Sequence, residues 1–208
     1  MKSTRLLGCM LLILLMSGCA KKAMLRKYYV LEPPASVLTE QKKFGEPLAF
    51  RVECKPFRVA RAFSDSRIVV RSSSHELNYY YYHLWAVRPP NAVSDLVFST
   101  ITHSGLFNHC TQKTLVKPDF YITGEIEQIE RYKEGKQEYA RLSGSIKFFD
   151  ASDDHEIVLH SFKRQTNITK NNSMNHFAQV ISQMLYEETL LFIDQLAGHF
   201  DKAESATE

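Results

Sequence analysis

Asp119-Phe120-Tyr121-Ile122-Thr123-Gly124-Glu125-Ile126-Glu127-Gln128-Ile129-Glu130-Arg131 is the stretch that decides the fold. Phe120, Ile122 and Ile126 fall on alternate positions and share one face, the period of a strand with one side buried. Two more stretches of this kind follow. Gln137 to Asp150 puts Ala140, Leu142, Ile146 and Phe148 on one face, and Glu156 to Ile168 is rich in strand formers. Turn residues at Glu134-Gly135-Lys136 and Ser152-Asp153-Asp154 join them, which predicts a meander of three long antiparallel strands. In the first strand the phase slips to Ile129 and Tyr132, which predicts a bulge or a bend toward solvent.

Downstream, Asn171-Asn172-Ser173 caps a final helix with an apolar stripe of Phe177, Val180, Ile181, Met184, Leu185, Leu191 and Leu196. Upstream, Pro89-Pro90 opens a helix over Pro90 to Ser104, with Val93, Leu96, Val97, Thr100 and Ile101 on one face and Gly105 as the stop. Phe107 to Thr111 is then a strand that enters parallel to an earlier one. Leu48, Phe50, Val52 and Cys54 alternate inward along a strand that Pro56 ends. Ile68 to Arg71 and Glu76 to His83 form a hairpin about Ser72-Ser73-Ser74, and Tyr28 to Leu31 is a short edge strand closed by Pro33-Pro34. The sum is one α+β domain, a mixed and mostly antiparallel sheet with two main helices packed on it.

Tyr79-Tyr80-Tyr81-Tyr82 is unusual for a strand, because alternation makes both faces aromatic. One pair can pack under a helix. The other is either an amphipathic pair tolerated on the wet side or part of a partner surface, where Tyr is enriched. Trp85, the only Trp, reads mainly as a core anchor and also marks where this candidate surface ends.

The first residues decide where the domain lives. Lys2 and Arg5 precede the apolar run Leu11-Leu12-Ile13-Leu14-Leu15, and Met16-Ser17-Gly18-Cys19 follows. This is the pattern of a bacterial lipoprotein signal, and the apolar run falls short of the roughly 20 residues a bilayer span needs. Residues 1–18 are then the leader, Cys19 the lipidated N-terminus, 19–27 a tether, 28–200 the folded domain and 201–208 a polar tail. Acyl chains on Cys19 hold the protein to a membrane without spanning it. Eight residues from Ala20 to Lys27 reach no further than roughly 28 Å, so the domain stays close to that surface. By analogy with lipoprotein sorting in Gram-negative bacteria, Ala20 in place of Asp directs the protein to the outer membrane, on its periplasmic face.

Of 26 Lys and Arg, two leave with the leader, so the mature chain carries 24 against 23 acidic residues, a net of +1. No basic stripe of the nucleic-acid kind is present. Cys9 is lost and Cys19 is lipidated, which leaves Cys54 and Cys110 in an oxidising compartment, either as a disulfide or as two small core residues. No G-x-S-x-G, H-E-x-x-H, P-loop or C-x-x-C is present. Ser72-Ser73-Ser74-His75 reads as turn chemistry. His103, His109 and Cys110 match no common zinc spacing. Glu125, Glu127 and Glu130 read as a solvated strand face, so no catalytic group, cofactor or metal is expected.

Three blocks in order resemble the ABC-type transport auxiliary lipoprotein family. They are Tyr28-Tyr29-Val30-Leu31-Glu32-Pro33 soon after the lipobox, the hairpin from Arg67-Ile68-Val69-Val70-Arg71 to Glu76-Leu77-Asn78-Tyr79, and His83-Leu84-Trp85-Ala86 running into Pro89. Val87 stands where members often carry an acidic residue. The resemblance implies a non-enzymatic periplasmic component of an envelope lipid-transport system that works with an Mce-domain protein. In PqiC-like members the lipoprotein is oligomeric and docks the distal end of the Mce assembly at the outer membrane. A competing class is a periplasmic lipid-binding carrier or a small hydrolase, built around an internal pocket.

Overall fold

The computed structural model describes residues 25–34, 44 and 46–205, so the leader, Cys19 and most of the tether lie outside the described residues. The strands are β1 (Lys27–Tyr29), β2 (Leu48–Cys54), β3 (Arg58–Val59), β4 (Arg67–Ser73), β5 (Glu76–Trp85), β6 (Phe107–Thr111), β7 (Phe120–Glu134), β8 (Gln137–Asp150) and β9 (Glu156–Asn167). The long helices are α1 (Pro89–Ser104) and α2 (Met174–Ser205).

All nine strands form one sheet, and β7 is its spine. One edge of β7 pairs antiparallel with β8 over its whole length, from Phe120 opposite Asp150 to Glu134 opposite Gln137, and β8 pairs in turn with β9. The predicted meander is therefore present. The other edge of β7 is shared in series. β2 takes Phe120 to Ile122, β3 takes Glu125 and Ile126, and β4 takes Arg131 and Tyr132, all in parallel. Residues 48–73 thus run beside β7 as one interrupted strand. Pro56, which has no N–H to give, lies at the first interruption. Lys55 N–H to the Ile122 carbonyl (2.8 Å) and Ala60 N–H to the Ile126 carbonyl (2.9 Å) carry the ladder around it. Beyond this row the sheet widens in two places. β6 joins β2 in parallel after the α1 crossover, as expected, and β5 joins β4 antiparallel with β1 parallel on its outer side.

The predicted bulge is Glu127. The ladder steps from Ile126–Gly144 to Gln128–Ser143 and leaves one extra residue on β7. Inward positions shift with it, from Ile122 and Ile126 before the bulge to Ile129 and Arg131 after it, while Tyr132 is only half-buried. Tyr132 lies three residues from Ile129, an odd number, so a regular strand sends the two to opposite faces. Glu130 corrects the reading of a solvated carboxylate row. Glu125 and Glu127 do reach solvent, but Glu130 is fully buried, its oxygens accepting from Arg71 Nε at 2.9 and 3.0 Å and from Gln128 Nε2 at 2.8 Å.

Both helices pack on the core that this sheet covers. α1 has Pro89 and Pro90 in its first turn and ends at Gly105, whose φ of 73° is the left-handed cap that favours glycine. α2 starts where Ser173 Oγ accepts the His176 N–H at 3.2 Å. Its core face carries Phe177, Ile181, Met184, Leu185, Phe192, Ile193 and Leu196. Leu191, expected in this stripe, is exposed, because the helical steps from Leu185 lead to Glu188, Thr189 and Phe192 instead. The helix also continues past Phe200, whose ring packs among Phe50, Phe120 and Phe148. Among the described residues no helix is long and apolar enough to cross a membrane.

Gly124 on β7 is where the sheet meets the β2–β3 connection most closely. A Cβ there would lie 2.3 Å from a Phe57 ring carbon and 2.4 Å from the Ser145 carbonyl oxygen. Gly124→Ala is expected to cost about 1–3 kcal/mol through overpacking. Urea unfolding measures it, and an unchanged midpoint would mean that the Phe57 ring and the Ser145 carbonyl both give way without cost.

Candidate docking surface

The tyrosine tract does not alternate as a regular strand. Between the Val69–Tyr79 and Arg67–Leu84 pairs, β5 advances five residues while β4 advances two. The excess bows out of the ladder, which closes again where Trp85 N–H donates to the Ser66 carbonyl at 2.6 Å. Tyr80 packs against the core with its ring edge-on to His83 at 5.5 Å. Tyr81 and Tyr82, neighbours in sequence, meet edge-on at 4.8 Å, a contact a flat strand would not allow. Tyr79 and Tyr81 are the outward pair, 38% and 66% exposed. The Arg67 guanidinium lies 4.6 Å from the centre of the Tyr79 ring, and the Tyr79 hydroxyl donates to the Ala62 carbonyl at 3.1 Å. Trp85 is 3% exposed and packs near Phe177 of α2. It belongs to the core and is not itself part of an open surface.

β1 lies against this tract as the edge strand, Lys27 opposite His83 and Tyr29 opposite Trp85. Burial holds the Tyr29 phenol above its ordinary pKa and, with Lys27 and Arg131 nearby, the His83 imidazole below its own. The Tyr29 hydroxyl and His83 Nδ1 are hydrogen-bonded at 2.7 Å, with the donor set by the imidazole tautomer. Tyr28 turns outward, and Arg26 stands 5.7 Å from the Tyr81 ring centre. Hydrogen bonding to Tyr81 and Tyr28 raises the Arg26 pKa further. On the far side of β1 a groove of about 320 Å³ runs along α2 between Tyr28, Val30, Pro33, Ala178 and Ser182. Glu32 N–H donates to Ser182 Oγ at 3.3 Å near its middle.

The remaining sequence candidates stay apart. Ser74 Oγ lies 2.8 Å from His75 Nδ1 in the exposed β4–β5 turn. His103 Nδ1 is 2.7 Å from the Ser99 carbonyl within α1, and His109 is exposed on β6. Among the described residues no three His, Cys, Asp or Glu side chains gather as metal ligands. Cys54 and Cys110 are free thiols on neighbouring strands. Cys110 faces Val52, so Cys54 is one diagonal step away, at or beyond the separation a disulfide usually spans.

Sequence reasoning missed three buried ionic groups. Glu130 with Arg71 is one. Arg131 reaches Glu138, the Asn172 carbonyl (2.8 Å) and Met174 Sδ (3.3 Å). Glu188 of α2 takes His160 Nε2 at 2.7 Å on one oxygen and Arg164 Nη1 at 2.6 Å on the other, while Gln195 lies 3.1 Å from His160 Nδ1. The paired carboxylates, Glu188 foremost, raise the Arg164 pKa. The available signal was Glu188 itself, an acid on the helix's apolar stripe.

Residues 29–189 match the family model of the ABC-type transport auxiliary lipoprotein component. No curated protein matches the chain. Among solved structures, protein XCC0632 from Xanthomonas campestris aligns with a TM-score of 0.65 at 17% identity, covering 88% of this chain and 98% of its own. A second, uncharacterised protein aligns at 0.62 and 12% identity, covering 76% and 99%. At these identities the structures establish the fold alone.

Burial pushes the Cys110 thiol up to about 11 and the Cys54 thiol higher still. At neutral pH Cys110 then carries about 100-fold less thiolate than an ordinary thiol, and alkylation in the native protein is expected to be slower by that factor than in urea. Mass spectrometry of the non-reduced, denatured protein is expected to find both thiols alkylated. A bridged Cys54–Cys110 peptide would mean that β2 and β6 leave this register.

Proposed function

Because the chain belongs to the ABC-type transport auxiliary lipoprotein family, we propose that it is the docking component of an envelope lipid-transport system. In this reading it is held by Cys19 on the periplasmic face of the outer membrane, performs no catalysis, and receives the distal end of an Mce-domain assembly, alone or as a homo-oligomer. One observation carries the docking role. Tyr79, where the β4–β5 ladder breaks, and Tyr81, on the bulge that follows, stand outward, with guanidinium groups placed over both rings. Tyr and Arg are the residue types that concentrate binding energy at protein contacts.

Replacing Tyr79 and Tyr81 together by Ser is expected to weaken Mce-protein binding or self-assembly at least about tenfold, while the melting temperature hardly moves. Light scattering and a binding titration read the two effects. Retained binding and oligomer mass would place the contact elsewhere, and a lipid co-purifying in a closed pocket or a hydrolytic turnover would move the protein to the competing class.

Cys19→Ser is expected to abolish the acyl mass and release the protein from the outer-membrane fraction. Unchanged fractionation of the variant, with no acyl mass on the wild type, would remove the anchor from this account.

A further inference from the structure

We infer that the strip from Leu25 to Val30 is a seat for an anionic lipid surface, so that the domain lies on the bilayer that holds its anchor. The inference rests on the reading of Cys19 as the acylated residue. Six residue steps of about 3.5 Å then bring Leu25 within roughly 21 Å of the lipid, so this strip is the part of the described fold that the chain itself confines to the membrane.

Its chemistry suits that place. Leu25, Tyr28 and Val30 are 80%, 60% and 48% exposed. With Tyr79 and Tyr81 they make five of the ten large apolar or aromatic side chains exposed among the described residues, all on β1, its flanks or β5. Single exposed residues of this kind are ordinary, whereas a cluster beside an anchor is not. The charge is one-sided as well. From Cys19 to Leu31 the sequence carries Lys21, Lys22, Arg26 and Lys27 and no acid. Basic residues beside an acyl anchor are attracted to anionic headgroups, and tyrosine rings settle at the headgroup level.

β1 gives the strip a fixed orientation. Its pairing with β5 and the Tyr29–His83 hydrogen bond turn Tyr29 inward and leave Tyr28 facing out. Arg26 lies over Tyr81, so the lipid seat and the proposed protein contact adjoin at that ring. The bilayer would thereby set the direction in which Tyr79 and Tyr81 are presented.

The test uses the full mature lipoprotein in vesicles of phosphatidylethanolamine with phosphatidylglycerol, one acyl chain of which is brominated. Tyr28→Trp supplies the reporter, with Leu191→Trp as the control on the exposed side of α2. The Tyr28→Trp emission is expected to be quenched and the Leu191→Trp emission not. Adding R26E with K27E is expected to lower the seat's occupancy at least about 25-fold, at about fivefold per basic residue, and to restore the emission. Raising the salt should act in the same direction. Equal emission from the two reporters overturns the inference, as does a Tyr28→Trp signal that changes only when a protein partner is added. The acyl mass on Cys19 is read separately. A failed anchor removes that mass and the quenching together, whereas a failed seat leaves the mass and removes the quenching.

Discussion

The fold depends on both edges of β7 being satisfied at once. Backbone donors and acceptors in a buried strand must all find partners, and a strand of 15 residues offers more of them than any one parallel neighbour here supplies. β8 meets one edge with a full-length antiparallel ladder, stepped once at Glu127 and closed by a short turn at Gly135. The opposite edge is met piecewise by β2, β3 and β4, none of which pairs with more than three residues of β7. These short ladders are weak alone. They act together because a single stretch of chain follows the edge of β7 from end to end. β4 pairs with β7 beyond the Glu127 bulge and carries β5, with its exposed tyrosines, on its other edge.

The buried charges lock this arrangement further. Arg71 with Glu130 joins β4 to β7 beside their two paired residues. Arg131 joins β7 to β8 and to the start of α2, and Glu188 joins the middle of α2 to His160 and Arg164 on β9. Such groups cost desolvation and need add little net stability over apolar residues of similar shape. Each links elements that are distant in sequence through directional bonds. A helix that slid by one turn would leave Glu188 buried without partners, a larger penalty than the same slip between purely apolar faces.

Most of the element order was legible in the sequence because period and punctuation agreed. The β7–β9 meander, the β4–β5 hairpin, α1 between its prolines and Gly105, and the parallel entry of β6 all came from such signals. What was not legible came from places where a neighbour far along the chain changes the environment. Glu130 looks like a surface residue until Arg71 meets it. Leu191 looks like core until Glu188 and Thr189 are seen on the helix face it was assigned. β3 is two residues long and exists only as the link between two longer strands on β7. The tyrosine tract was recognisable as a surplus of aromatic rings, but which pair faces outward depends on the bulge of β5 opposite β4.

β1 has a mechanical consequence. It is the first described strand after the proposed anchor at Cys19, and it is held side by side with β5 over Lys27 to Tyr29, with the Tyr29 carbonyl also accepting the Ala86 N–H at 2.7 Å. A tension applied through the tether along the strand axis therefore loads these hydrogen bonds in shear, all together, and does not peel them one after another. The next residues in line, Leu31 in the core and Glu32 on Ser182, pass any remaining load to α2. A pull between the tether and the domain core would then be shared between the β1–β5 hydrogen bonds, Leu31 in the core and the Glu32–Ser182 bond to α2.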